Sequence, residues 1–365
     1  MAGSSYGTIF RISTWGESHG KGLGVVVDGC PAGLSLKTSD IQEYLNRRRP
    51  GRSRYSTQRT ENDLVEILSG VFEGKTTGTP ISLMVRNTDQ RSKDYSEIAK
   101  YYRPGHADFG FDAKYGFRDY RGGGRSSGRE TIGRVAAGAI ASLLLKELGI
   151  TLCTYTRSIG PVSIQRFDME EIENNHLKMP DAEAAKKAAA WLEKCMSEKN
   201  SSGGIIESVV HGMPAGAGDP VFEKLDANLA KAIMSIGAVK GVEIGDGFQA
   251  AAATGLENND SFVIDQDGQI TTRTNHAGGI LGGISSGSDI ILRAAVKPTA
   301  SIASRQQTVS REGEPIEIEI HGRHDPVIVP RAVVVVEAMT ALTLIDALLL
   351  GMGSRLDNLK KIWRP

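Results

Sequence analysis

The hydrophobic and polar positions along the chain predict alternating strands and helices. Short runs rich in β-branched residues predict strands at 23–27, 81–85, 205–211, 261–264, 289–294 and 316–320. Longer segments in which apolar residues recur every three or four positions predict helices at 39–47, 60–68, 131–148, 181–196, 221–233 and 331–350. The chain is therefore predicted to fold as a mixed α and β protein.

Two segments share one pattern, which predicts an internal duplication. GVVVDGCPAGLSL begins at Gly24 and SVVHGMPAGAGDP begins at Ser208, and each reads as a strand, a Gly-x-Pro-Ala-Gly turn and a helical stretch. Chance similarity over so few positions is the alternative. Because no proline-rich or low-complexity linker separates the two segments, we predict a single domain over residues 1–365. The charged stretch 166–200, which contains the helix-forming run AEAAKKAAAWLEKCM, is the predicted peripheral helical excursion.

The last predicted helix is apolar enough to raise the question of a membrane span. Its run from 332 to 350 carries Glu337 and Asp346, and charged side chains are costly inside a bilayer. We therefore interpret this run as a helix buried in the protein core.

Composition limits the classes of partner. Basic and acidic residues balance at 43 each, so no overall field favours nucleic acid or an acidic membrane. Arginines nevertheless crowd residues 47–59, which indicates a local basic site. An RNA-binding or protein-binding surface is a different class of function, and the lack of aromatic residues among the arginines disfavours nucleic acid.

The cysteines and histidines argue against a disulfide framework or a metal site. Cys30, Cys153 and Cys195 lie far apart without paired spacing, which is typical of a reducing compartment. His321 and His324 are too few ligands to indicate a metal. The first residues lack the apolar core of a signal peptide, so we expect a cytoplasmic protein.

The loop RDYRGGGRSSGRETIGR, at residues 118–134, has the features of an anion-binding cradle. Gly122, Gly123 and Gly124 free the backbone for conformations that side chains forbid, and Ser126 and Ser127 add hydroxyl donors. The arginines offer planar forks, and a helix that begins near residue 131 adds partial positive charge. A solvated basic loop is the alternative.

Two histidines lie in glycine-flanked loops that suit proton transfer. His19 is in Gly-Glu-Ser-His-Gly-Lys-Gly and His106 is in Arg-Pro-Gly-His-Ala-Asp. For either residue alone, a structural hydrogen-bonding role is the alternative. Arg323 and Asp325 in Arg-His-Asp-Pro place a cation and a carboxylate before the last helix, where a surface ion pair is the alternative.

Two glycine-containing stretches need separate interpretations. Residues 70–76 resemble a phosphate-binding P-loop, but one residue is missing between the glycines and a turn and strand follow, so we reject that reading. The run NHAGGILGGISSG at 275–287 indicates close backbone approach to a ligand or to another part of the chain. Lys297-Pro-Thr-Ala-Ser301 follows it and again combines a cation with small donors.

These segments together resemble the chorismate synthase family. The blocks GESHGKGLGVVVDGCPAGL, RRRPGRSRYSTQRTENDLVEILSGVFEGKTTGTPI, YRPGHADFGFDAKYGFRDYRGGGRSSGRET, NHAGGILGGISSG, KPTAS and GRHDPVIVPRAVVVVEAM are spread over nearly the whole chain. The resemblance implies trans-1,4 elimination of phosphate from 5-enolpyruvylshikimate 3-phosphate to give chorismate, the last step of the shikimate pathway. It also implies reduced FMN, NADPH as the reductant in members that reduce their own flavin, and a homotetramer. The implied fold is α+β, a single-domain β-α-β sandwich that is compatible with the internal pseudo-duplication.

The resemblance also assigns residues. His19 and His106 are the implied catalytic histidines, the first at the leaving phosphate and the second protonating the reduced flavin, and Asp325 is the implied carboxylate near flavin N5. The implied flavin-contacting positions are Arg125, Ser126, Ser127, Gly237, Ala238, Gly282, Lys297, Pro298, Thr299, Ala300, Ser301 and Arg323. The implied basic residues for substrate or NADPH are Arg48, Arg54 and Arg129.

Two positions depart from the family pattern. Gly128 stands where many members have alanine, and Gly237 stands where they have asparagine, which removes a side-chain amide. A flavin-free phosphate-ester lyase is the enzymatic alternative to the implied activity.

Overall fold

In a computed structural model, the protein is described over residues 3–51, 55, 61–88, 97–266, 268–320 and 325–364. The strands are β1 (Ser5–Tyr6), β2 (Arg11–Gly16), β3 (Gly22–Asp28), β4 (Val65–Ile67), β5 (Val71–Phe72), β6 (Lys75–Thr76), β7 (Ile81–Arg86), β8 (Thr151–Ile159), β9 (Val162–Ser163), β10 (Gly204–His211), β11 (Val239–Ile244), β12 (Phe262–Ile264), β13 (Ile270–Thr272), β14 (Ile280–Leu281), β15 (Ile284–Ser285), β16 (Ile290–Val296), β17 (Arg305–Val309) and β18 (Pro315–Glu319).

The helices lie between these strands and after them. They are α1 (Thr38–Arg48), α2 (Asp108–Tyr115), α3 (Thr131–Glu147), α4 (Glu171–Asn174), α5 (Ala182–Ser197), α6 (Leu225–Met234), α7 (Gly255–Asn258), α8 (Val329–Gly351) and α9 (Leu356–Trp363). Short 3-10 turns lie at Glu97–Lys100, Gly124–Ser126, Gly128–Glu130, Val221–Glu223 and Gly247–Ala252. The mixed helix and strand content confirms the predicted α and β composition.

Two antiparallel sheets of five strands form the main framework. The first has the order β1-β2-β3-β7-β4 and the second has the order β11-β16-β10-β8-β9. In the first sheet, Val25 and Leu83 are cross-strand partners in β3 and β7, and both side chains are buried. In the second, Ser208 of β10 is paired with Leu292 of β16 and is also fully buried. Both sheets therefore have one face in the core.

The same order of elements occurs twice along the chain. In the first half, β2-β3-β7-β4 are neighbours, α1 follows β3, and α3 follows β7. In the second half, β8-β10-β16-β11 are neighbours, α6 follows β10, and α8 follows β16. The two Gly-x-Pro-Ala-Gly turns thus follow the central strands β3 and β10 of the two sheets.

Helices α3 and α8, which hold equivalent places in the two halves, pack directly against each other. Gly138 lies at their contact, because a Cβ built on it would come 2.3 Å from the Cβ of Ala338. α8 has the length and hydropathy of a membrane-crossing helix, yet 78% of its most apolar window is buried within the protein. The prediction of a buried core helix for this run is therefore confirmed.

One predicted helix is wrong. In the described part of 60–68 the chain forms the short strand β4, in which Val65 is buried while Leu64 and Leu68 on either side of the strand are exposed. Asp63 has a φ of 46°, which a continuous helix does not allow, and β4 is paired with β7. Strand pairing has therefore overridden the helix-forming composition of this segment.

The boundaries of the other predicted helices and strands are confirmed to within a few residues, and one helix is shorter than predicted. The helix predicted at 221–233 is α6, which begins at Leu225, because Lys224 has non-helical backbone angles and separates it from a 3-10 turn. The hairpin of β5 and β6 occupies the rejected P-loop, as the turn-and-strand reading predicted. In the stretch 166–200, α5 buries Ala188 and Leu192 and is capped by the carboxylate of Asp181.

The contact between α3 and α8 yields a stability prediction. Gly138→Ala should lower the free energy of unfolding by about 1–3 kcal/mol, because the added methyl overpacks a closed contact. The matched control is Gly110→Ala in α2, where a Cβ meets nothing within 4 Å and helix propensity should add up to about 1 kcal/mol. Urea unfolding of both variants measures the difference. Equal stability of the two variants would contradict the packing account.

Candidate active site

His106 lies in the loop that precedes α2, and two hydrogen bonds fix its ring. Its Nδ1 is 3.0 Å from the carbonyl oxygen of Pro104, and its Nε2 is 2.9 Å from the hydroxyl of Ser301. Since a carbonyl oxygen only accepts, Nδ1 carries the proton in the neutral ring and Nε2 accepts from Ser301. The structure thus brings together two motifs that are 195 residues apart in the sequence.

The surroundings of His106 lower its pKa. Burial is the largest cause, and the nearby cations of Arg103 and Lys297 act in the same direction, against the Pro104 carbonyl and the Asp108 carboxylate. The neutral imidazole therefore dominates at neutral pH, and the protonated ring is a stronger acid than an exposed histidine.

The segment 297–301 lies against the His106 loop. Lys297 Nζ donates to the carbonyl of Gly105 at 2.7 Å, and a Cβ on Gly105 would meet the Ala300 Cβ at 2.8 Å. The hydroxyl of Thr299 is buried and has no hydrogen-bond partner among the described residues. A buried donor of this kind costs free energy unless a ligand or solvent satisfies it, so the Thr299 hydroxyl is available to a bound ligand.

Gly237 and Ala238 join the same cluster through the backbone. The amide of Lys297 donates to the carbonyl of Ala238 at 2.9 Å, immediately before β11. Ala238 has a φ of 72°, a conformation that is uncommon for a residue with a Cβ, and a Cβ on Gly237 would meet nothing within 4 Å. There is therefore open space beside this turn.

His19 lies in the loop of residues 17–20 between β2 and β3, against the glycine-rich loop. Ser18 donates its hydroxyl to the carbonyl of Gly122 at 3.3 Å. Gly122 has a φ of 65°, and a Cβ there would come 2.8 Å from His19 Nε2. Glycine is thus required both by the backbone angle and by the imidazole ring. The first histidine and the predicted anion-binding loop are neighbours.

The arginines of that loop are engaged within the protein. Arg125 donates to the Gly16 carbonyl at 3.0 Å and to the Thr14 hydroxyl at 2.7 Å, which ties the loop to β2. Arg118 and Arg121 are paired with Asp112 and Asp119 at 2.6 Å and 2.9 Å. Ser126 donates to the Gly123 carbonyl at 2.7 Å, and Ser127 accepts from the Arg129 amide at 3.4 Å. The arginines of this loop thus have partners within the protein, and the anion-binding role of the loop stays a prediction.

Arg48 and Arg129 share one buried carboxylate. Asp63, whose side chain is fully buried, accepts from Arg48 at 2.7 Å and from Arg129 at 3.2 Å. Arg129 also pairs with Glu61, and Arg48 donates to the Thr131 hydroxyl at 3.1 Å. Burial lowers the pKa of Arg48 to about 10, so it remains charged at neutral pH. Their part in binding substrate or NADPH stays a prediction.

Asp325 lies beside this network. Its carboxylate accepts from Arg331 of α8 at 2.7 Å, and Arg331 also donates to the backbone carbonyl of Arg48 at 3.3 Å. The carbonyl of Pro326 accepts from the Ser202 amide at 2.9 Å, and Ser201 donates to the Thr299 carbonyl at 2.7 Å. Asp325 is thus connected to both clusters. Arg54 and Arg323, which the sequence also assigned to the site, lie outside the described residues.

Gly282 is apart from the other assigned positions. It is at the tip of the hairpin of β14 and β15. Backbone hydrogen bonds join this hairpin to residues that follow β10, so it lies near Ile290, the first residue of β16. Lys297 lies beyond the opposite end of β16, roughly 20 Å away at the rise of a strand. Within one chain the structure therefore does not bring Gly282 to the His106 cluster.

Sequence reasoning missed Asp63, Asn87 and Arg331. Asp63 is in the segment that was wrongly predicted to be a helix, and that prediction gave no reason to expect a buried ion pair. Asn87 follows β7 without any motif, and Arg331 was hidden at the start of an apolar helix. No local motif signalled these three residues, although Asp325, the carboxylate that Arg331 binds, is only six residues away. Across the described ranges, no cluster of three histidine, cysteine or acidic residues could hold a metal ion.

Comparisons with known proteins show the family to which this chain is similar. The sequence model of the family described as chorismate synthase matches residues 10–349. The curated chorismate synthase of Agathobacter rectalis is 68% identical over 366 residues, which cover 100% of both chains. That of Methanosarcina mazei is 57% identical, with 96% of this chain and 97% of the relative covered. A solved chorismate synthase structure superposes with a TM-score of 0.76 at 32% identity, covering 98% of this chain and 96% of that one.

The hydrogen bond from Ser301 to His106 yields a prediction about titration. Ser301→Ala removes a donor to the unprotonated Nε2, so the neutral ring loses stabilisation and the pKa of His106 should rise towards its ordinary value. Ser304→Ala, which removes a hydroxyl bonded to the carbonyls of Glu198 and Lys199, is the control. NMR titration of the imidazole signals measures both. An unchanged or lower His106 pKa in Ser301→Ala would contradict the tautomer assigned here.

Proposed function

Because the chain belongs to the chorismate synthase family of carbon–oxygen lyases, we propose that it converts 5-enolpyruvylshikimate 3-phosphate to chorismate. The proposed reaction is a trans-1,4 elimination of phosphate with loss of a ring proton, and it forms the last step of the shikimate pathway. The observation that supports it most directly is the His106 cluster, in which a proton-transfer group lies among Lys297, Ser301 and the unpartnered buried hydroxyl of Thr299.

The residues present suit reduced FMN as the cofactor. Lys297 supplies a cation, and Thr299 supplies a buried donor with no other hydrogen-bond partner in the described chain. The turn at Gly237 and Ala238 leaves open space beside them. We propose that these residues hold the cofactor, with Pro298, Ala300 and Ser301 completing the segment. Reduced FMN, when bound, supplies electron density to the substrate during the elimination and recovers it afterwards.

We propose that His106 transfers its proton at Nε2. The carbonyl of Pro104 accepts the hydrogen bond from Nδ1, so Nε2 is the ring nitrogen that can gain or give a proton. The hydroxyl of Ser301 is in contact with this Nε2. The lowered pKa makes the protonated ring a ready donor. His19, beside the Gly122 backbone, is proposed to stabilise the departing phosphate.

Asp325 is proposed as the carboxylate that accepts a hydrogen bond or a proton from the cofactor. Arg331 holds one of its oxygens at 2.7 Å and so fixes the orientation of the carboxylate. We propose that the positive charges of Arg48 and Arg129 attract the phosphate and carboxylates of the substrate, or NADPH. Both arginines belong to the buried ion-pair network around Asp63.

We also propose the broader assignments that the family suggests. The repeated order of strands and helices, with α3 against α8, supports a β-α-β sandwich with internal pseudo-duplication. A homotetramer would supply a reason for the distant place of Gly282, which a neighbouring chain could complete. A cytoplasmic location is consistent with the three free cysteines.

The proposed function is tested by an anaerobic assay for chorismate. The wild-type protein with chemically reduced FMN should form chorismate, and omission of FMN should abolish the reaction. A parallel assay with NADPH and oxidised FMN measures whether the chain reduces its own flavin. Formation of product without flavin would replace this proposal with a flavin-free lyase.

His106→Ala should lower turnover by roughly 10²- to 10⁴-fold, the usual range for loss of a general acid–base group. His211→Ala is the matched control, because His211 is bonded to Asp289 at the far end of β10. Single-turnover rates with chemically reduced FMN provide the measurement. Normal turnover by His106→Ala would assign this histidine to structure alone.

A further inference from the structure

We propose that Asn87 is a positioning residue that holds the His19 loop in its working geometry; this rests on the function proposed above for His19. Asn87 follows the last residue of β7 and lies beneath the loop of residues 17–20. Its side-chain amide donates to the carbonyl of Glu17 at 3.0 Å and to the carbonyl of Gly20 at 2.9 Å. The two accepting carbonyls lie on either side of His19 in the sequence.

The orientation of the Asn87 amide is dictated by its partners. Its Oδ1 accepts from Arg129 Nε at 3.1 Å and from Arg129 Nη2 at 2.8 Å. A guanidinium can only donate and a backbone carbonyl can only accept, so the reverse orientation would leave every one of these bonds unmade. The amide therefore uses both of its donor hydrogens on the loop and its oxygen on Arg129.

Arg129 is itself fixed, which makes Asn87 a rigid support. The guanidinium of Arg129 is nearly fully buried and pairs with Glu61 and with Asp63. The backbone of Asn87 adds a further link, since its amide donates to the carbonyl of Lys21 at 3.2 Å. The side chain of Asn87 thus connects the carbonyls on both sides of His19 to a buried ion-pair network.

This placement bears on catalysis because His19 acts from a loop. Misplacement of a reacting group by about 1 Å can cost on the order of 100-fold in rate. The Glu17–Gly20 turn is closed by a backbone hydrogen bond of 3.1 Å, so it can move as a unit when its support is lost. Loss of Asn87 is therefore expected to affect the chemical step more than the fold.

The test uses Asn87→Ala and Asn87→Asp. The first removes all contacts of the amide, and the second keeps an acceptor for Arg129 while losing both donors to the loop. Asn175→Ala is the matched control, because Asn175 also donates to two carbonyls, those of Glu171 at 2.6 Å and Met179 at 2.8 Å, but lies near α4. Circular dichroism melting curves compare the stability of the three variants.

The first readout is the rate at which diethyl pyrocarbonate modifies His19, followed by peptide mass spectrometry in the absence of substrate. Both Asn87 variants should raise this rate at least about fivefold, whereas modification of His106 and His211 in the same samples should not change. The second readout is kinetic: kcat should fall about 10- to 100-fold while KM changes less than about threefold.

Unchanged His19 modification and unchanged kcat, with a loss of thermal stability like that of Asn175→Ala, would overturn the proposal. If the wild-type protein forms no chorismate, the modification rates still test the position of the loop without the proposed function. Faster modification of His19 with normal kcat would uphold the positioning role and remove His19 from the proposed chemistry.

Discussion

The carboxylate of Asp63, held between the guanidinium groups of Arg48 and Arg129, is the interaction on which the candidate site depends. Its side chain is fully buried, and the two arginines are nearly so. With Glu61 also paired to Arg129, the cluster has two positive and two negative charges. Charges buried in this way are tolerable only while each has its partner, and removal of one typically costs about 3–5 kcal/mol. The cluster therefore permits one arrangement of the elements that carry it.

Those elements are the ones that carry the chemistry. Arg48 ends α1, and Arg129 lies in the turn that leads from the glycine-rich loop into α3. The backbone of Arg48 holds Arg331, which orients Asp325, and Arg129 holds Asn87 beneath the His19 loop. Segments that are far apart in the sequence are thus set by one charged centre. The His106 cluster is joined to it through Ser201 and Ser202.

Hydrophobic periodicity and local motifs predicted the features of the fold and the site that depend on residues close together in the sequence. The apolar runs of β3, β7 and α8 defined these elements closely, and glycine or histidine in short loops identified His19, His106 and the segment from Lys297 to Ser301. The resemblance to a known family named the same residues. The pairing of His106 with Ser301 could not be predicted from spacing, because it depends on how the second sheet places residues that follow β16.

The wrongly predicted helix has the same physical origin. Residues 61–68 have helix-forming composition, yet pairing of β4 with β7 and the burial of Asp63 determine their conformation. The ligand-binding role of the arginines in the glycine-rich loop stays a prediction, and in the fold some of their donors contact Thr14, Asp112 and Asp119. Such roles depend on partners that come from distant parts of the chain, so composition alone does not distinguish a binding arginine from a supporting one.

The most direct test of the central role of Asp63 is hydrogen–deuterium exchange of Asp63→Asn, a substitution that keeps shape and removes the charge. The account predicts faster exchange in peptides that cover residues 17–20, 122–131 and 325–331, with the central strands β3 and β10 as protected as in the wild-type protein. Unchanged exchange in those three segments, or the same increase throughout the chain, would contradict it.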